Sequence, residues 1–178
     1  GEYPDDWLGR RFDHPVKGWA AGETSTLVRD VQQKKLCGEP GVIADFGTGY
    51  IPKESFTDTP SLARGVTDAF DTIQVRHKSG GTSVLRFKSY EQGRTKFQGE
   101  TLDFVWCDEE PPLDIYSECL TRVTATGGMV FVTFTPLKGK SDVVNRFLDT
   151  PDASRGSVTM TIYDAKHIPS DQVSEIIA

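Results

Sequence analysis

The stretch LDFVWCDEEPP, residues 102–112, joins an apolar run to three consecutive acids. Near-continuous apolar runs of this length are typical of strands that are buried on both faces of a sheet. Two prolines follow the acids and prevent the strand from continuing. We therefore predict a strand at 102–107. The acids at its carboxyl end are Asp108, Glu109 and Glu110.

A second apolar run, MVFVTFTP at 129–136, follows after a segment that is predicted to form a helix at 113–128. Two such strands joined by one helix form a βαβ unit with parallel strands, and we expect both strands to be covered on both faces. Ligands of parallel sheets bind beyond the carboxyl ends of the strands. Thr133 and Thr135 are therefore expected to lie near the acids.

The segments on either side extend this pattern. Upstream, a strand is predicted at 16–23 and a helix at 24–38, which Thr24 or Ser25 caps and Gly38 ends. The other predicted elements are an antiparallel hairpin at 72–78 and 82–90, helices at 141–149 and 169–178, and a strand at 157–165. The buried face of the hairpin is predicted to consist of Ile73, Val75, Leu85 and Phe87. The predicted fold class is α/β, with a mostly parallel sheet flanked by helices and carrying an antiparallel hairpin.

Composition excludes several classes of function. The 178 residues are 37% hydrophobic and 26% charged, which is typical of a globular domain. The net charge of −6 argues against a dedicated nucleic-acid-coating protein, although local phosphate contacts remain compatible with it. No apolar run approaches the ~20 residues of a membrane span. The three scattered cysteines indicate a reducing compartment without disulfides. No pair of cysteines or histidines has zinc-ligand spacing.

The apolar run followed by Asp-Glu matches the Walker B pattern of nucleotide hydrolases. In that pattern the first carboxylate holds Mg²⁺, usually through water, because Mg²⁺ prefers oxygen ligands and gives up its waters reluctantly. The second carboxylate polarises the water that attacks the γ-phosphate. A strand that ends in a solvated acidic turn is the alternative interpretation of the same residues.

The segment GETLDFVWCDEEPP, together with GGMVFVTFTPLKG one helix later, resembles the ATPase domain of the large terminase subunit, the DNA-packaging motor of tailed bacteriophages and prophages. In that family, a strand that ends in a threonine-containing coupling motif follows the Walker B acids. The segment TFTPLKG, residues 133–139, resembles this motif. The loop SYEQGRTKFQG resembles the family's glycine-bearing loop before Walker B.

The resemblance implies a role for several residues. Asp108 matches the acid that coordinates Mg²⁺, and Glu109 matches the catalytic glutamate. Thr133 and Thr135 match the coupling motif, which senses the bound nucleotide. Arg94 is the first candidate for the cation that neutralises the γ-phosphate, in cis or towards a neighbouring subunit. The second candidate for that cation is Arg122, and Glu110 receives no family role.

The sequence departs from the family pattern in one respect, since GxxxxGK[ST] occurs nowhere in it. We therefore expect residues 1–178 to be a partial terminase ATPase domain. Its P-loop segment is expected upstream of Gly1, and a nuclease domain is expected after Ala178. The fold would be a P-loop NTPase of the ASCE type that lacks its P-loop strand. Residues 129–135 would then form an open sheet edge, and the fragment alone is expected to be inactive.

The resemblance implies Mg²⁺-dependent ATP hydrolysis coupled to movement of double-stranded DNA into a procapsid. It also implies a homo-oligomeric ring on the portal protein, a small terminase subunit as partner, no membrane, and work in the cytoplasm of the bacterial host. Two alternatives stay open. The first is another P-loop motor, such as a helicase. The second is a catalytically incompetent prophage remnant that acts as an interaction module.

Overall fold

The structure is a computed structural model that describes residues 10–135, 139, 141–149, 152–165 and 168–177. The chain divides into two compact units, Gly1–Val143 and Val144–Ala178. The first unit contains all of the described strands, and it also contains every residue that was predicted to take part in chemistry.

A six-stranded sheet forms the first unit, with the strand order β2-β3-β4-β1-β5-β6. Its strands are β1 (Lys17–Gly22), β2 (Ser61–Leu62), β3 (Phe70–Arg76), β4 (Thr82–Ser89), β5 (Phe104–Asp108) and β6 (Met129–Thr133). The pairs β4–β1, β1–β5 and β5–β6 are parallel, whereas β2–β3 and β3–β4 are antiparallel. The predicted hairpin is thus confirmed, and its second strand is part of the parallel sheet.

The predicted βαβ unit is also confirmed. The helix α3 (Leu113–Thr124) connects β5 to β6, and the two strands pair in a register that sets Asp108 opposite Thr133. Ile115, Cys119 and Val123 of α3 are buried against the sheet, as their spacing predicts. Leu120 of the same helix is exposed.

The helical segment after β1 has an unexpected geometry. It begins as α1 (Ser25–Leu27), continues as a π-helix over Val28–Gln33, and ends as α2 (Lys34–Cys37). The Thr24 hydroxyl caps the start by accepting a hydrogen bond from the Leu27 amide, and Gly38 ends the segment with a φ of 103°. A π-helix has more residues per turn than the predicted α-helix, so different side chains face the sheet.

The core lies on both faces of the sheet, because neighbouring residues of β1 and β5 point to opposite sides. One cluster contains Trp19, Phe97, Leu102, Val105 and Ile115 among others, all of them almost inaccessible to solvent. The opposite cluster contains Ala20, Val28, Cys37, Ile73 and Phe87. The predicted hairpin residues Val75 and Leu85 pack against this second cluster. These two layers explain why the sequence of β5 is apolar throughout.

The expectation that β6 is covered on both faces is wrong for the described residues. Phe131 is 37% exposed, and Met129, Val130 and Val132 are only partly buried. The reason is the position of β6 at the end of the strand order, where β5 is its single partner among the described strands. β6 therefore forms an open edge of the described sheet, as expected for residues 129–135.

The second unit departs most from the sequence-based expectation. The helices α4 (Asp142–Leu148), which crosses into this unit, and α5 (Ser170–Ile177) are present, but the strand predicted at 157–165 is wrong. That range contains a single turn of 3-10 helix at Ile162–Asp164, while Val158 is 93% exposed. Alternating apolar residues form a strand only where a neighbouring strand pairs with them, and the described chain provides none here. No helix in the described ranges is long and apolar enough to cross a membrane.

Candidate functional site

The acids lie where β5 leaves the sheet. Asp108 is the last residue of β5, and Glu109 adopts a left-handed backbone conformation with a φ of 62°. This conformation is uncommon for residues other than glycine and occurs often at functional sites. The Glu109 amide donates a hydrogen bond of 2.8 Å to the carbonyl oxygen of Thr133. The turn that carries Glu109 is therefore attached to the end of β6.

Thr133 orients the Asp108 carboxylate through a directional pair of hydrogen bonds. The Thr133 hydroxyl lies 2.9 Å from Nε1 of Trp106 and 2.8 Å from Oδ1 of Asp108. An indole N–H can only donate a hydrogen bond and an ionised carboxylate can only accept one. The hydroxyl must therefore accept from Trp106 and donate to Asp108, which fixes the position of Oδ1.

Tyr90, which follows β4, also supports the turn that carries Glu109. Its hydroxyl oxygen lies 3.1 Å from the carbonyl oxygen of Asp108, 3.0 Å from that of Glu109 and 3.4 Å from that of Ala21. Burial raises the pKa of the Tyr90 phenol, so the phenol remains a donor. A single hydroxyl thus connects the carboxyl ends of β1 and β5.

We expect Tyr90→Phe to lower the free energy of unfolding by about 1–3 kcal/mol, because it removes the hydroxyl that donates to the carbonyl oxygens of the Asp108–Glu109 turn. The matched control is Tyr50→Phe, since Tyr50 is 82% exposed. Urea denaturation followed by circular dichroism measures both variants. Equal stabilities for the two variants would contradict the role given to the Tyr90 hydroxyl.

A cavity of about 360 Å³ opens at this edge of the sheet. It is lined by Gly22, Glu23, Leu27, Val28, Val31, Gln32, Asp108, Glu109, Glu110 and Thr135. The structure therefore brings together three of the predicted site residues, Asp108, Glu109 and Thr135. Thr133 contacts this group through its hydrogen bond to Asp108.

The chemistry of the lining fits a hydrated divalent cation. The charged lining residues are all acids, and none of the described lining residues is Lys, Arg or His. The described acids nevertheless do not form a cluster of three or more protein ligands for a metal ion. Mg²⁺ typically keeps several waters and uses one or two carboxylates together with substrate phosphates. This lining alone does not fit a triphosphate, because its charges would repel the phosphate oxygens.

Comparison with known proteins identifies the family. The family model of the terminase large subunit, T4likevirus-type, N-terminal, matches residues 49–178. The chain belongs to this family. It is 43% identical to the large terminase subunit of Salmonella phage P22 over all of this chain and 36% of the relative. It is 31% identical to the large terminase subunit of Enterobacteria phage LP7, over 88% of this chain and 33% of that relative.

These curated relatives are longer, and this terminase chain spans about a third of their length. Among solved structures, the chain is similar to the large terminase of the thermophilic bacteriophage D6E in complex with ADP, with a TM-score of 0.60 and 15% identity. That match covers 92% of this chain and 37% of the other. The predicted α/β fold, with a mostly parallel sheet that carries an antiparallel hairpin, is thereby confirmed.

Arg94 and Arg122 are not among the residues that line the acidic cavity of this terminase chain. Both guanidinium groups contact Glu118 of α3, with 3.1 Å between Arg94 Nε and Oε2 and 2.9 Å between Arg122 and Oε1. The Glu118 carboxylate is 7% exposed, whereas the Arg94 side chain is 56% exposed. Arg94 therefore presents a largely solvent-accessible cation beside a buried acid.

Two features of the site have no clear sequence signal. Tyr90 looks like the last residue of a hairpin strand, and its hydroxyl contacts depend on the packing of β4 beside β1. Gln32 lies in a segment predicted to be an α-helix, and its burial follows from the π-helix. The coupling motif is described only in part, since residues 136–138 lie outside the described ranges.

Proposed function

We propose that this chain is part of the ATPase domain of a large terminase subunit, which hydrolyses ATP with Mg²⁺ to move double-stranded DNA. The observation that carries the proposal is the acidic cavity, where Asp108 ends β5, Glu109 follows it and Thr135 follows β6. Membership of the terminase family supports the same conclusion.

In this proposal the two acids have different tasks. Asp108 holds Mg²⁺ through water, and Mg²⁺ bound there supplies positive charge that offsets the charge of the γ-phosphate. Glu109 accepts a proton from the water that attacks the γ-phosphate, and its left-handed turn aims the carboxylate into the cavity. Thr133 and Thr135 respond to the bound nucleotide, since one hydroxyl bonds Asp108 and the other residue lines the cavity.

Arg94 is proposed to act on the nucleotide of a neighbouring subunit in a ring. Its high exposure and its position outside the lining of the acidic cavity favour action between subunits over action within the chain. Arginine supplied in trans stabilises transition-state charge in related phosphoryl-transfer enzymes. The buried Glu118 carboxylate would orient the guanidinium for this contact.

Phosphate binding needs a further segment. The acidic cavity lacks a phosphate cradle, and the 178 residues contain no GxxxxGK[ST] motif. We propose that the P-loop lies in sequence before Gly1 and that a nuclease domain follows Ala178. The domain is then a partial one, as the length of the curated relatives suggests.

The proposed partners follow from the proposed task. They are double-stranded DNA, the portal protein, a small terminase subunit and further copies of the same subunit in a ring. The place of action is the cytoplasm of the bacterial host. A net charge of −6 favours DNA contacts that are local and shared among subunits.

The test compares the full-length subunit with residues 1–178 alone. The full-length protein is expected to hydrolyse ATP with Mg²⁺ and to lose activity in EDTA. Calorimetry on residues 1–178 is expected to detect no ATP binding tighter than about 1 mM, equivalent to ~4 kcal/mol. A full-length protein without ATPase activity would favour the prophage remnant, and micromolar binding by the fragment would contradict the need for a further phosphate-binding segment.

A further inference from the structure

Two adjacent glutamines of the π-helix provide an internal comparison. Gln32 is 0% exposed and Gln33 is 2% exposed, so both carboxamides are removed from bulk water. Buried polar groups are nearly always hydrogen-bonded, and an unpaired one costs roughly 1–3 kcal/mol. The two glutamines differ in whether this requirement is met.

Gln33 is fully satisfied by the backbone of β3. Its Nε2 donates to the carbonyl oxygen of Phe70 at 2.7 Å, and its Oε1 accepts from the amide of Phe70 at 2.8 Å. Gln33 therefore has a structural role, in which it ties the π-helix to the sheet. It lines a different cavity from the one that contains the acids.

Only one of the two polar atoms of the Gln32 carboxamide has a hydrogen-bond partner. Its Nε2 donates to the carbonyl oxygen of Ala21 at 3.3 Å, whereas Oε1 has no hydrogen-bond partner. The orientation of the amide is determined, because the carbonyl oxygen of Ala21 can only accept. A rotated amide would place two oxygens against each other. The unpaired atom of Gln32 is therefore an acceptor that lacks a donor.

This acceptor lies beside the proposed Mg²⁺ site. Gln32 lines the acidic cavity together with Gly22 and Asp108. A Cβ atom placed on Gly22 would lie 3.6 Å from Gln32 Oε1 and 3.8 Å from the carbonyl oxygen of Asp108. The atom nearest to that Cβ position is Val28 Cγ2 at 3.0 Å, so the lack of a side chain at Gly22 lets the π-helix pack closely against the end of β1.

None of the described residues that line the cavity donates a hydrogen bond to Gln32 Oε1. The described lining residues offer carboxylates, which accept hydrogen bonds when ionised, and the Thr135 hydroxyl as the sole uncharged side-chain donor beside the Gln32 amide. Water bound to a divalent cation is a strong donor, and Mg²⁺ retains several such waters. Ligands that hold metal-bound water are important for metal affinity even when they do not touch the metal.

We propose that Gln32 is an outer ligand of the divalent-cation site, where Oε1 accepts a hydrogen bond from a water bound to the cation held by Asp108. This inference rests on the proposed function, because it requires a cation at Asp108. It adds a residue of the π-helix that follows β1 to a site that otherwise consists of residues at the ends of β5 and β6.

The experiment measures the contribution of the metal to nucleotide binding in the full-length subunit. Calorimetry gives the affinity for a non-hydrolysable ATP analogue in Mg²⁺ and again in EDTA, and the ratio of the two isolates the metal. Gln32→Leu is expected to lower this ratio about tenfold. The matched control, Gln33→Leu, is expected to leave the ratio unchanged while it lowers the unfolding temperature, because Phe70 loses both hydrogen bonds.

Each outcome bears on a separate claim. An unchanged affinity ratio in Gln32→Leu would overturn the role of Gln32. An equal fall of the ratio in Gln33→Leu would also overturn it, because it would indicate a packing effect. Asp108→Asn tests the underlying proposal, since it is expected to remove most of the metal dependence. A normal ratio in Asp108→Asn would overturn the proposed metal site itself. Loss in Asp108→Asn with no change in Gln32→Leu would overturn this inference and leave the proposed function intact.

Discussion

Glu109→Gln is expected to lower the kcat of the full-length terminase subunit by about 10²- to 10⁴-fold, the range typical for loss of a general base. The amide keeps the size of the side chain but cannot accept the proton of the attacking water. Nucleotide affinity is expected to persist, because Asp108 and the proposed phosphate-binding segment are unchanged. Steady-state ATPase rates and calorimetry with ATP measure the two quantities separately.

Glu110→Gln is the matched comparison for this variant. Glu110 is the next residue and lines the same cavity, yet the family resemblance assigns it no role. The Glu110→Gln variant is expected to retain most of the ATPase turnover of the parent protein. Retained hydrolysis in Glu109→Gln would overturn the role of Glu109, and equal losses in both variants would show that the total charge of the cavity matters more than the position of one carboxylate.

Thr133→Val is expected to raise the Mg²⁺ concentration needed for half-maximal ATPase activity by roughly 10- to 100-fold, as for other residues that orient a metal ligand. Valine has almost the same shape as threonine but lacks the hydroxyl. Asp108 Oδ1 then loses its donor at 2.8 Å, and Trp106 Nε1 loses its acceptor. The carboxylate becomes free to rotate away from the cavity.

Thr133→Ser is the control, since it keeps the hydroxyl and removes a methyl group. Its Mg²⁺ dependence is expected to remain close to that of the parent protein. A Thr133→Val protein with the parent's Mg²⁺ dependence would contradict the role of Thr133 in orienting Asp108. A loss of activity that excess Mg²⁺ fails to restore would instead point to Thr133 acting in the coupling step.

The β5–α3–β6 unit could be predicted because its signals are local and strong. Two apolar runs separated by one helix, each with a proline soon after it, allow few arrangements. The parallel pairing sets Asp108 opposite Thr133. Proximity of the acids and the threonines follows directly from this topology. The hairpin could be predicted equally well, since the alternation of apolar and polar residues and a glycine-rich turn both indicate it.

The remaining features depend on contacts between segments that are distant in sequence. The π-helix changes which side chains of Val28–Gln33 face the sheet, and no local pattern distinguished it from an α-helix. Tyr90 reaches the acidic turn because β4 packs beside β1. The strand predicted at 157–165 was wrong for the converse reason, since alternation alone does not provide a partner strand.

The most direct test of the proposed site is to locate the metal. Crystals of the full-length subunit grown with Mn²⁺ and a non-hydrolysable ATP analogue would reveal the cation by its anomalous scattering. The proposed site predicts one Mn²⁺ peak in the acidic cavity, about 4 Å from the Asp108 carboxylate if one water intervenes. A Mn²⁺–nucleotide complex bound away from Asp108 and Glu109 would contradict it.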